Sequence, residues 1–238
     1  MEMLHTVSLW IHVAAGMTAL FVAPGAMIAR KGKTWHRRWG KIYFWCMFVV
    51  AVSAVVMASV KPNLFLLLLA VFSFYLSFSG YRVLYRKKPG ATVPMLDWIV
   101  TGGTVIASMG MGIYGATVLM GGESFGAVMM VFGILGTWGA GQDLYQFVRP
   151  PKSKQAWFFK HMNGFLASYI ATVSAFSAVN FFFLPPVVRW LWPTVLGTIG
   201  IAVWARHYRK TFNRKPSVPS PNGTSAVAHP SLASRPTA

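Results

Sequence analysis

Seven apolar stretches, at 4–28, 42–60, 63–84, 97–120, 124–147, 162–183 and 187–207, follow one another with short polar connections between them. Stretches of about 20 apolar residues match the ~30 Å hydrocarbon core of a bilayer when coiled as helices. Lipid offers no partner to a backbone N–H or C=O, so a crossing segment must satisfy its own backbone, and a helix does that. The pattern predicts an all-α, polytopic membrane protein with a bundle of seven transmembrane helices. Only 11% of the 238 residues are charged, against ~25% in a soluble domain. That excludes a soluble enzyme.

The charges that remain are distributed by connection. The first carries Arg30, Lys31, Lys33, Arg37, Arg38 and Lys41, and the third carries Arg82, Arg86, Lys87 and Lys88. The fifth carries Arg149, Lys152, Lys154 and Lys160, and the C-terminal part carries Arg206, Arg209, Lys210, Arg214, Lys215 and Arg235. Lys61 and Arg189 alone fall on the other side, so 20 of the 22 Lys and Arg residues share one face of the membrane. Cytoplasmic connections carry that excess. The N-terminus is therefore expected outside and the C-terminus in the cytoplasm. A net charge of +18 arranged in this way faces the bilayer's anionic headgroups at the cytoplasmic loops, so the expected partner is lipid and not nucleic acid. Oligomeric state is left open.

The first segment has no positive charge ahead of its apolar run, so it is expected to be a retained helix and not a cleaved leader. The expected domains are a transmembrane domain over 1–210 and a disordered cytoplasmic tail over 211–238, where Pro, Ser, Thr and Ala replace the apolar residues. The single Cys46 excludes an internal disulfide and a Cys-rich metal centre. Gly133, Gly136 and Ala140 recur on one face of the fifth segment, opposite a fourth segment rich in glycine. Small residues at that spacing let two helices approach closely in lipid.

Four acidic residues limit the chemistry. Glu2 and Glu123 sit outside the apolar stretches and are expected to be solvated. Asp97 opens the fourth segment just after Pro94, where a carboxylate caps a helix and suits its positive end. Asp143 lies one turn inside the end of the fifth segment, where the macrodipole is unfavourable to it. It requires a partner, and Lys160 or His161 across the short connection can supply one.

His12 lies well inside the first segment, on a face shared with His5, Gly16 and Ala19. A histidine at that depth turns into the bundle, and Asn180 and Ser177 are its candidate partners. The basic run also holds His36, Arg37 and Arg38, and Arg's planar fork of donors suits phosphate or carboxylate. The candidate binding residues are thus His12, Asn180, Asp143, His161, His36, Arg37 and Arg38. No catalytic residue is assigned, and no metal ligand set is assigned either.

His12-x-x-x-Gly16-x-x-Ala19-Leu20 is followed by Arg30-Lys31-Gly32 and His36-Arg37-Arg38-x-Gly40-Lys41. His161-Met162 then opens a segment that reaches Ala175-Phe176 and Asn180. Together these motifs resemble a family of uncharacterised bacterial multi-pass membrane proteins, a domain of unknown function, over the first six segments. The resemblance implies a bacterial inner-membrane location and draws attention to His12, His36 and His161 without giving them roles.

Three functions remain open on these residues. The first is a polar intramembrane site for a small molecule or a proton. The second is a membrane redox protein with haem b as cofactor, which needs two facing histidines at one depth. The third is a metal-dependent membrane hydrolase using His36, Asp143 and His161, although no H-E-x-x-H spacing supports it.

Overall fold

A computed structural model describes residues 1–88 and 90–213. Seven α-helices account for most of them: α1 (Glu2–Ile28), α2 (Thr34–Val60), α3 (Leu64–Arg82), α4 (Met95–Met120), α5 (Gly126–Val148), α6 (Ala156–Asn180) and α7 (Pro186–Asn213). A short 3-10 turn, Val83–Tyr85, extends α3. No strand occurs among the described residues. Six of the helices are long and apolar enough to cross a membrane, which fits a multi-pass membrane protein. α5 is not among the six, because Gly133, Gly136, Gly139, Gly141, Gln142 and Asp143 dilute its apolar content. The expected tail lies outside the described residues, except that α7 continues to Asn213 and so three residues past 210.

Two boundaries differ from the apolar stretches in a way that matters. α2 begins at Thr34, not 42, so His36, Arg37, Arg38 and Lys41 form its first two turns and not a loop. The connection shrinks to residues 29–33, where Gly32 takes a φ of +77°, a backbone region that glycine enters without steric cost. α6 likewise begins at Ala156, which places Lys160 and His161 on the helix. Lys, Arg and Trp are tolerated in a helix. Hydropathy marks only the part in hydrocarbon and is blind to helical turns that project into the headgroup layer.

The bundle is apolar outside and mixed inside, where Phe65, Phe72, Met111 and Phe132 pack beside buried hydroxyls. Ile, Leu, Phe and Trp side chains such as Trp10, Phe21, Ile106, Ile134 and Leu196 are exposed on the outer surface, while Ser77, Thr101, Thr104, Ser108, Ser168 and Ser174 are buried. Lipid is as apolar as leucine, so helix association there rests on close packing and hydrogen bonds. α3 sits centrally, touching α2, α4, α5 and α6. Tyr43 of α2 reaches α6, sharing hydrogen bonds with Ser168 at 2.9 Å and Thr172 at 3.2 Å. Trp192 of α7 donates to Ser177 at 2.8 Å.

Successive helices run antiparallel. The turns 29–33 and 149–155, the end of α3 and the end of α7 therefore lie together, and they carry nearly all the described Lys and Arg. At the opposite end Glu2 pairs with Lys61 at 3.0 Å, both exposed, a contact that adds little to stability.

Candidate functional site at the basic end

Two histidines use the same local device. His36 Nδ1 lies 2.9 Å from the Ala26 carbonyl in the last turn of α1. His161 Nδ1 lies 2.9 Å from the Gly80 carbonyl in the last turn of α3. The last carbonyls of a helix have no intrahelical donor, and each imidazole supplies one. A carbonyl can only accept, so Nδ1 carries the proton and Nε2 of the neutral ring keeps a free lone pair. His12 differs: its Nδ1 lies 3.0 Å from the carbonyl of Val50, in the middle of α2, and 3.0 Å from Ser53 Oγ.

His36 and His161 are far apart in sequence, yet their ring centroids are 6.1 Å apart with the planes at 78°. The contact depends on a close crossing of α3 and α6 at two glycines. A Cβ on Gly164 would meet Gly80 Cα and the Leu76 carbonyl at 2.8 Å. That approach brings α6 within reach of the Gly80 carbonyl. Phe165 packs against the His161 ring with centroids 4.9 Å apart.

Beside the histidines lies an ion-pair network. Asp143 is buried, with 3% of its surface exposed. Lys160 Nζ lies 2.5 Å from Asp143 Oδ1, and the Tyr75 hydroxyl donates to Oδ2. Of the two partners the sequence offers, Lys160 takes the carboxylate while His161 turns to Gly80. Neighbouring positions on a helix point ~100° apart, so only one of the two can face α5. Asp97 is not a helix cap. Pro94 holds the cap position without a side-chain bond, and the Asp97 carboxylate is 1% exposed between two arginines. Arg82 Nε donates to Oδ1 at 2.7 Å, and Arg86 Nε lies 3.2 Å from Oδ2. Burial pushes the Arg86 guanidinium below its ordinary value, and Asp97 and Asp143 act against that shift. The group stays charged.

The other candidate residues lie apart from this site. His12 is on α1, more than three turns from Ala26 and near the other half of the bundle. It is bonded to α2 and not to Asn180 or Ser177. Asn180 is exposed and donates to its own helix, to the Phe176 carbonyl at 2.8 Å. Arg37 and Arg38 are exposed at the start of α2, with Arg38 5.7 Å over the Trp35 ring. Asp143 does not join His36 and His161, so the three do not form a ligand set. Among the described residues no group of three or more His, Cys, Asp or Glu can hold a metal ion.

Tyr75, Arg82 and Arg86 belong to the network, and sequence reasoning gives them no role in it. The arginines are visible only as members of the third basic connection. Tyr75 carries no signal within a run of Phe, Leu and Ser.

No family model, no curated protein and no solved structure matches this chain.

Proposed function

We propose that the chain is a multi-pass protein of a bacterial cytoplasmic membrane, with its N-terminus outside and C-terminus inside. We further propose that it holds a polar site for a small molecule or a proton at His36 and His161. One observation supports the site above all. Both imidazoles are held by backbone carbonyls through Nδ1 and leave Nε2 free, whereas both buried carboxylates nearby are committed to cations. Two rings with centroids 6.1 Å apart, each with an unbonded Nε2, suit a small polar donor. The orientation of the bundle is supported by the basic residues gathered at one end.

The test compares wild type with the double variant His36→Phe, His161→Phe in a thermal-shift screen of small polar compounds. Each lost hydrogen bond to a carbonyl costs only ~1 kcal/mol, so the variant is expected to fold. A compound at about 100 times its Kd adds ~2.7 kcal/mol to the protein that binds it. Compounds that stabilise wild type are expected to leave the double variant unmoved. Equal stabilisation of both proteins would contradict the site.

A further inference from the structure

A second site lies on the other side of Lys160. The end of α3, the end of α5 and the start of α6 enclose a cleft of about 80 Å³, lined by Arg86, Lys87, Asp143, Gln146, Trp157 and Lys160 among others. One water needs ~10–15 Å³ of such space, so the cleft has room for a tetrahedral oxyanion and not for a nucleotide.

Its charge is unbalanced. Arg82, Arg86, Lys87, Lys88 and Lys160 meet two carboxylates, Asp97 and Asp143, and three positive charges are left over. Both carboxylates are already engaged. Asp97 accepts its aligned hydrogen bond from Arg82 at 2.7 Å, and Asp143 is held by Lys160 and Tyr75. Arg86 Nε is buried and, although near Asp97, has no aligned hydrogen-bond partner. Aromatic faces also steady two of these cations: Arg86 Cζ sits 4.8 Å from the Phe147 centroid and Lys87 Nζ 4.8 Å from the Trp157 centroid. A ring holds a cation in place and neutralises none of its charge.

We infer that this cleft binds a phosphate monoester dianion. A phosphate monoester carries about −1.5 to −2 at neutral pH, which the excess of positive charge more than balances, and Arg presents the fork of donors that phosphate oxygens accept. A free phosphate and the headgroup of phosphatidic acid share this chemistry.

The experiment uses the full chain in phosphatidylcholine nanodiscs. Inorganic phosphate is titrated calorimetrically in one arm. In the other, phosphatidic acid or phosphatidylglycerol is incorporated and the change in melting temperature is read. Phosphate binding, or stabilisation by phosphatidic acid beyond that by the phosphodiester phosphatidylglycerol, is expected. Saturation by phosphate identifies a soluble ligand, and a response to phosphatidic acid alone identifies a lipid headgroup. Lys87→Gln and Arg86→Gln are expected to weaken the response at least tenfold, and Arg209→Gln, on α7, to leave it unchanged. Lys87 is exposed, so its variant keeps the test open if loss of Arg86 beside Asp97 prevents folding. No response to either probe would overturn the inference. An Arg209→Gln loss equal to that of Lys87→Gln would also overturn it, since the binding would then belong to diffuse basic charge.

Discussion

Asp143→Leu is expected to destabilise the protein by ~3–5 kcal/mol, the cost of removing one partner from a buried ion pair. The variant leaves the Lys160 ammonium without its carboxylate and the Tyr75 hydroxyl without its acceptor. Glu123→Leu, at an exposed turn, should change stability by less than about 0.5 kcal/mol, on the scale of ordinary surface substitutions. Lys160→Met should cost about as much as Asp143→Leu, again ~3–5 kcal/mol. The double variant Asp143→Leu, Lys160→Met should cost much less than the two singles together, because an apolar pair replaces an ion pair without stranding a charge. Unfolding in mixed micelles with increasing SDS measures all four. Additive losses would mean that the pair is not coupled.

Gly133→Val should be as damaging, through sterics. A Cβ on Gly133 would stand 2.5 Å from Gly112 Cα and 2.9 Å from the Ser108 carbonyl, both backbone of α4. Backbone cannot rotate away as a side chain can, so α4 and α5 must separate along their contact. Overpacking typically costs ~1–3 kcal/mol when side chains can adjust, and here the loss should exceed that range. Gly136 is similarly enclosed, by Ser108 Cβ at 2.8 Å and Phe72 at 2.9 Å. A Cβ on Gly139, on the same helix, would meet nothing within 4 Å. Gly139→Ala is therefore expected to be neutral or stabilising, by up to ~1 kcal/mol from helix propensity. The same SDS titration separates Gly133 from Gly139. Equal effects would mean that α4 and α5 do not pack as described.

These contacts show which features can be read from the residues. Gly133, Gly136 and Ala140 are legible as a packing face because their spacing alone places them together. The helices are legible because hydrocarbon demands length and apolar character. Their polar ends are not, since Thr34–Lys41 and Ala156–His161 are helical without being apolar. The histidine pair is hidden for that reason. It exists only because α2 and α6 begin early and because Gly80 and Gly164 let α6 approach α3. Asp143 announces its need for a cation, but the choice between adjacent Lys160 and His161 is a matter of helical phase. Asp97 misleads because its place in the first turn of α4 suits a cap equally well. Its burial between Arg82 and Arg86 depends on how α3 meets α4.

Both proposed sites rest on the proposed arrangement of seven alternating crossings, with Lys and Arg gathered on the cytoplasmic side. Paired reporters fused after Gly122 and after Asn213 measure that arrangement directly, one reporter active only outside the membrane and the other only in the cytoplasm. The Gly122 fusion should report the outside and the Asn213 fusion the cytoplasm. Both fusions reporting the same compartment would contradict the seven-crossing arrangement, and the reverse assignment would place the His36–His161 pair and the phosphate cleft on the outer face.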